Sequence, residues 1–187
     1  MSEYEAFDLK AYRANTQNNP CFICRIISGE DTAHHIVFRD DVAIAFLNKY
    51  PTLYGYALVA PIEHREEVTG DFSPEDYLRL QSVVYRVAEA LRHELPTERV
   101  YILSLGSRQG NSHVHWHVAV LPPGVPYEEQ QFEALLPFVV TSDKIDDNGK
   151  QILTMENRGY LKIPHEELRQ LAERLNSRIV SMKDGHS

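Results

Sequence analysis

His113-Val114-His115-Trp116-His117-Val118-Ala119-Val120-Leu121 sets three histidines in strict alternation with Val, Trp and Val. Period-two alternation is the mark of a half-buried strand. Successive strand side chains point to opposite faces, so His113, His115 and His117 share one face, spaced by roughly 6.5–7 Å per two residues. Val114, Trp116, Val118 and Val120 share the other face and are expected to bury against a helix or a second layer. Three imidazoles on one face point either to a metal site or to a nucleophilic imidazole. A single ion on all three is disfavoured. They span roughly 13–14 Å along a straight strand, against metal–nitrogen bonds near 2.1 Å.

The rest of the chain must accommodate that strand. Before it, residues 35–39, 42–47 and 55–60 read as strands, the first two joined by the Asp40-Asp41 turn. Ser73-Pro74-Glu75-Asp76 is a strong helix start, with a Ser cap, an early Pro and acids near the positive end. Tyr77, Leu80, Val84, Val87 and Leu91 continue it at helical spacing to about residue 93, before Pro96. Residues 99–105 form a fourth strand. The histidine strand is the fifth and ends at Pro122-Pro123-Gly124. Residues 127–136 read as a short helix, and 146–149 as a turn or linker. A last helix opens at Pro164, with Leu168, Leu171, Leu175 and Ile179 on one face. The order β-β-β-α-β-β with short links predicts an α+β domain. It would hold a five-stranded antiparallel sheet packed with one long helix and one or more short ones. The expected division is 1–20 as an N-terminal extension with no site of its own, 21–136 as the domain, and 137–187 as a C-terminal extension with a helix.

Composition narrows the class. The chain has 187 residues, 43% hydrophobic and 25% charged, with a net charge of −8. That balance argues against a duplex nucleic-acid surface, though not against a local phosphate pocket. No apolar run approaches the about 18 residues a membrane span needs, and Met1-Ser2-Glu3-Tyr4-Glu5 does not resemble a signal peptide. No membrane partner and a cytoplasmic location are therefore expected. The two cysteines, Cys21 and Cys24, form a C-x-x-C after a loop, Gln17-Asn18-Asn19-Pro20. That spacing fits half of a zinc site or a redox pair, and a loop rather than a strand before it favours metal. Structural zinc takes four tetrahedral ligands. His34, His35, His64 and His113 are candidates for the other two, and spacing alone does not choose between them.

A histidine nucleophile has further needs. One ring nitrogen must be unprotonated, a partner must fix the other, and donors must hold the phosphoryl oxygens. His115 is central on the face. The loop from Gly106 to Ser112 can supply backbone N–H groups and the side chains of Gln109, Asn111 and Ser112.

His-Val-His-Trp-His-Val-Ala matches the pattern of the histidine triad (HIT) superfamily. Cys21 to Asn48, the strand to Pro61 followed by Glu63-His64, the helix from Ser73 and the Gln109 loop occur in the family's order. The resemblance covers roughly residues 20–123. It is closest to the zinc-carrying bacterial branch, of the diadenosine polyphosphate hydrolase type. It implies a HIT-like fold and a structural zinc on Cys21, Cys24, His64 and His113. It implies His115 as the nucleophile that accepts a nucleotidyl group, with His117 and Gln109 at the phosphate. Asn48 would hold the ribose, and Phe22, Ile26 and Phe46 would wall the base. A homodimer with the sheet extended across a two-fold axis is also implied. Tyr56, Gly110 and Ser104 depart from the family's usual His, Ser/Thr and Asn. The activity implied is hydrolysis of nucleoside phosphoesters, phosphoramidates or dinucleoside polyphosphates. The alternatives are transfer to phosphate or a sugar phosphate, or nucleotide binding by a zinc protein without turnover.

Overall fold

A computed structural model describes residues 3–108, 112–149 and 151–183. Its centre is a five-stranded antiparallel sheet in the order β2-β3-β4-β6-β5. The strands are β2 (Ile36–Arg39), β3 (Ala43–Leu47), β4 (Ala57–Pro61), β5 (Arg99–Leu103) and β6 (Trp116–Leu121). The histidine-bearing strand thus lies inside the sheet, between β4 and β5, with Leu58 opposite His117 and Ile102 opposite Val118.

The expected long helix is α3 (Pro74–Glu94). Ser73 caps it by accepting a hydrogen bond from the Asp76 N–H at 3.0 Å, and Glu75 and Asp76 occupy its positive first turn. Its apolar face covers one side of the sheet. Val114, Trp116, Val118 and Val120 share one cluster with Leu80, Val83, Val84, Val87 and Leu91. The alternation read from the sequence thus sends these four residues to the helix side. Trp116 meets Phe72 and Tyr77 edge-on, with centroids 6.3 and 6.0 Å away. A smaller cluster lies on the opposite side, where Ile23 and Ile26 of α2 (Phe22–Ser28) pack against Ile44, Phe46, Leu58 and Ala119.

Two expectations are corrected, and a hairpin is added. The strand holding the triad begins at Trp116, so only His117 lies within it. His113 to His115 approach in a lead-in whose Val114 N–H bonds to the Arg65 carbonyl at 2.8 Å, outside the ladder. The helix expected over 127–136 is instead two 3-10 turns, Tyr127–Glu129 and Phe132–Ala134. The first has no side-chain cap, and so short a segment does not recover the cost of helix nucleation. Residues 138–157 form a hairpin of β7 (Phe138–Ile145) and β8 (Gln151–Asn157) about the predicted 146–149 turn.

The two extensions meet each other. β1 (Glu3–Glu5) pairs antiparallel with β9 (Tyr160–Lys162), and α1 (Leu9–Asn18) follows β1. The last helix, α4 (His165–Lys183), buries Leu171, Leu175 and Ile179 in the main core beside α3. Asn176 of α4 donates to the Val37 carbonyl at 2.8 Å, which satisfies an outward group of the edge strand β2. No helix among the described residues is long and apolar enough to cross a membrane.

Candidate functional site

Cys21 caps α2, its sulfur accepting from the Cys24 N–H at 3.5 Å. Local helix geometry therefore turns both sulfurs to one point. His64 lies in the turn after β4, and His113 in the lead-in to β6. The four ligand atoms, two sulfurs and two Nδ1 nitrogens, all lie within 4.8 Å of one another. Cys24 Sγ is 3.2 Å from His64 Nδ1 and 3.6 Å from His113 Nδ1, and Cys21 Sγ is 3.7 Å from His113 Nδ1. A tetrahedral ion with bonds of about 2.3 Å to sulfur and about 2.05 Å to nitrogen requires sulfur–nitrogen edges of about 3.6 Å. The three sulfur–nitrogen distances, 3.2, 3.6 and 3.7 Å, lie near that spacing.

The surrounding groups agree. His113 Nε2 donates to the Pro61 carbonyl at 2.9 Å, which leaves the Nδ1 lone pair facing the sulfurs, the outer-shell arrangement that orients metal-bound histidines. Burial lowers the His113 pKa to about 4, so the ring is a neutral ligand. Burial and the neighbouring Cys21 sulfur push the Cys24 thiol up to about 11. Two adjacent thiolates here would need a cation between them. The donor set therefore fits a tetrahedral divalent metal better than a redox pair. Spacing alone left four histidines open, and the fold brings His64 and His113 to the cysteines. His34 instead stacks near Phe22, and His35 lies against His165, with centroids 4.4 Å apart.

His115 and His117 follow directly, their rings 4.9 Å apart. Each has one nitrogen assigned by its neighbours. His115 Nδ1 lies 2.8 Å from the His113 carbonyl. A carbonyl only accepts, so Nδ1 carries the proton and Nε2 keeps its lone pair. His117 Nδ1 lies 3.1 Å from the Tyr56 hydroxyl. Burial raises the Tyr56 pKa well above its usual range, so Tyr56 stays protonated, and its hydroxyl can either donate to His117 Nδ1 or accept from it. His117 Nε2 is a buried atom with no hydrogen-bond partner among the described residues. Burial lowers the pKa of both histidines, that of His117 to about 3. His115 thus offers one unprotonated nitrogen beside the neutral ring of His117.

Both histidines line a cavity of about 550 Å³, within the range of small-molecule sites. Phe22, Phe46 and Asn48 also line it. Phe22 and Phe46 meet edge-on at 6.2 Å. Asn48 spends its side-chain oxygen on the Tyr50 N–H at 3.0 Å, which leaves its amide free to donate. Ile26 is buried in the core beneath α2 and does not reach the cavity. Ser112 is placed elsewhere, its hydroxyl 3.4 Å from His64 Nε2. Gln109, Gly110 and Asn111 lie outside the described residues.

The fold also adds lining residues that the sequence did not suggest. His34 stacks on Phe22 at 6.1 Å, held by Asp31 at 3.3 Å; the i, i+3 spacing of Asp31 and His34 was the available signal. Residues 5–8 and one face of α1 form another wall. The N-terminal extension is therefore part of the cavity.

The HIT domain family model matches residues 30–123. A HIT-like protein of Saccharolobus solfataricus is 31% identical over 106 residues, which is 54% of this chain and 73% of that one. Protein hit of Bacillus subtilis is 31% identical over 103 residues, covering 54% and 70%. Among solved structures, a histidine triad nucleotide-binding protein of Sulfolobus tokodaii superposes with a TM-score of 0.61 at 21% identity, over 87% of this chain and 94% of that one. A Zn-bound histidine triad family protein of Mycobacterium smegmatis gives 0.59 at 18%, over 92% and 100%. The chain belongs to the HIT domain family, and its α+β sheet-and-helix architecture is that family's fold.

Proposed function

We propose that this protein is a nucleotide-processing enzyme that works through a covalent nucleotidyl-His115 intermediate. The carrying observation is the His115 ring: its Nδ1 lies 2.8 Å from the His113 carbonyl, which leaves the Nε2 lone pair free, and the ring lines the cavity beside that of His117. His115 Nε2 attacks the α-phosphorus of a nucleoside phosphoester, phosphoramidate or dinucleoside polyphosphate. A phosphorus–nitrogen bond forms, and the leaving group departs with the electron pair of its own bond, taking a proton from solvent. The charge gained by the His115 ring is stabilised through its Nδ1–H bond to the carbonyl. His117 Nε2–H donates to a phosphoryl oxygen, with Gln109 and the amides of its loop assisting. Water then attacks phosphorus, the pair of the phosphorus–nitrogen bond returns to Nε2, and a nucleoside monophosphate leaves. Asn48 is the ribose contact, and Phe22 and Phe46 are the faces against the base.

Cys21, Cys24, His64 and His113 would hold zinc, which ties α2 and the turn after β4 to the lead-in of the catalytic histidines. The open edge of the sheet is β5, because α4 covers β2. It is the edge through which a homodimer would extend the sheet, and sedimentation would read a mass near twice 21.5 kDa.

The test is direct. Wild-type protein quenched during turnover should carry a nucleotidyl group on His115, and His115→Ala should lose adduct and turnover while keeping fold and metal content. Turnover retained in His115→Ala would sink the reading. Product analysis with and without added phosphate separates hydrolysis from transfer to phosphate.

A further inference from the structure

α1 is an unusual helix. The residues that line the cavity are Asp8, Ala11, Tyr12, Asn15, Thr16 and Asn19. Their spacing of three and four makes one continuous helical face. A surface helix ordinarily turns an apolar stripe inward. This one turns carboxamides and a hydroxyl towards the space in front of His115 and His117.

The helix is fastened at both ends rather than along its length. At its start, β1 pairs with β9. The Asn157 side chain bonds both the N–H and the carbonyl of Phe7, at 3.2 and 2.7 Å. Phe7, Tyr12 and Tyr50 form an aromatic knot, with centroids 5.3–6.2 Å apart. At its other end, Asn19 and Pro20 run directly into Cys21 of the metal cluster. α1 is a strap across the cavity, which Asn15, Thr16 and Asn19 line together with Phe22, His34 and Phe46.

The hydrogen bonds within that turn set what it can offer. Asn19 Nδ2 donates to the Asn15 carbonyl at 3.0 Å and to Asn15 Oδ1 at 2.5 Å. Both of its protons are committed. Asn15 Nδ2 is left as a donor and Asn19 Oδ1 as an acceptor. The Thr16 hydroxyl donates to the Arg13 carbonyl at 3.0 Å, so its lone pairs also face outward as acceptors. An adjacent donor and acceptor, fixed by their own network next to an aromatic stack, suit the hydrogen-bonding edge of a nucleobase. Base edges are read by such carboxamides, while aromatic faces accept any base.

We propose that α1 reads the base: Asn15, Asn19 and Thr16 contact the hydrogen-bonding edge of the nucleobase whose faces lie against Phe22, His34 and Phe46. This rests on the nucleotide reading above and adds the specificity determinant to it. Residues 30–123 match the family model, so the determinant lies outside the matched segment.

The test measures binding of AMP, GMP, CMP and UMP by calorimetry. Purine riboside 5′-monophosphate, which keeps a stacking face but lacks exocyclic groups, is the reference. Wild-type protein should bind its preferred natural nucleotide at least tenfold tighter than the reference. The double variant Asn15→Ala/Asn19→Ala should bring that difference within threefold, by weakening the natural nucleotide and not the reference. Alanine at Asn15 raises helix propensity, and Asn19, the C-cap residue, caps through its backbone N–H, which alanine keeps, so circular dichroism should show the helix retained. A preference that persists in the double variant, or a wild type indifferent to the base, would overturn the strap's role while leaving nucleotide binding intact. Selective binding that depends on Asn15 and Asn19, without turnover or adduct, would uphold the strap and overturn the catalytic reading. No binding of any nucleotide would overturn both.

Discussion

The Tyr56 hydroxyl stands 3.1 Å from Nδ1 of His117. From sequence, Tyr56 was a departure from the family's usual histidine. In the structure it engages the Nδ1 side of the His117 ring. Tyr56→Phe should keep the buried ring and lose the donor. We expect kcat/KM to fall roughly tenfold, equivalent to about 1.4 kcal/mol. Imidazole nitrogen chemical shifts should report mixed tautomers at His117. An unchanged rate with an unchanged His117 spectrum would show that Tyr56 does not orient it.

The Cys21–Cys24–His64–His113 cluster joins three segments distant in sequence. Purified protein should contain one equivalent of zinc by elemental analysis. A bound metal at a free concentration a thousandfold above its Kd stabilises by about 4 kcal/mol. Chelation should therefore lower Tm by about 10 °C, and Cys24→Ser should start from the lowered value. Full stability after verified metal loss would remove the structural role.

Buried neutral histidines make stability depend on pH in a defined direction. Burial depresses the His117 pKa to about 3 from its usual value of 6.5. Above about pH 6.5 both folded and unfolded states hold the ring neutral, and its contribution to stability is complete. As pH falls below 6.5 the unfolded state takes up a proton that the folded state refuses, so stability is lost until pH reaches about 3. The slope for this group is no more than about 1.4 kcal/mol per pH unit. Urea unfolding of wild type and His117→Gln, compared at pH 7.5, 6 and 5, should show the variant gaining on the wild type as pH falls. Parallel behaviour of the two would contradict a buried neutral His117.

Gly159 has φ +78°, and a Cβ there would overlap the Glu5 carbonyl oxygen. Only glycine lets β1 lie against the turn before β9. Gly159→Ala should cost about 1–2 kcal/mol in backbone strain alone and release the strap's first fastening. Limited proteolysis should then cut within residues 3–20 at least fivefold faster, while the main thermal transition moves little. Equal cleavage rates would mean that the metal-side fastening holds α1 by itself.

Much of this protein is written in local pattern. The alternation of Val114, Trp116, Val118 and Val120 identified the core face of the central strand, because strand geometry makes alternate residues share a side. The Ser73 cap and helical spacing located α3. The C-x-x-C located half of a metal site. These signals depend on neighbours a few residues apart, and the chain's own stereochemistry carries them.

Other features depend on contacts between distant segments. Spacing did not choose His64 over His34 or His35, because ligand choice follows from where Pro61 and the turn after β4 lie beside α2. The hairpin of residues 138–157 was missed because its pairing outweighs a polar, turn-rich sequence. The phenol of Tyr56, 61 residues away, reaches His117 Nδ1 only through folding, whereas His115 Nδ1 meets the carbonyl two residues before it. The polar face of α1 carries no apolar stripe to announce burial. It gains a place at the cavity because β9, 155 residues further along, pairs with β1. The sequence by itself determined which residues could do chemistry and which apolar side chains face the helix. The tertiary structure decided which histidines join the cysteines, which hydroxyl meets His117 and what roofs the cavity, because those outcomes are hydrogen bonds and ligand distances between segments with no local code.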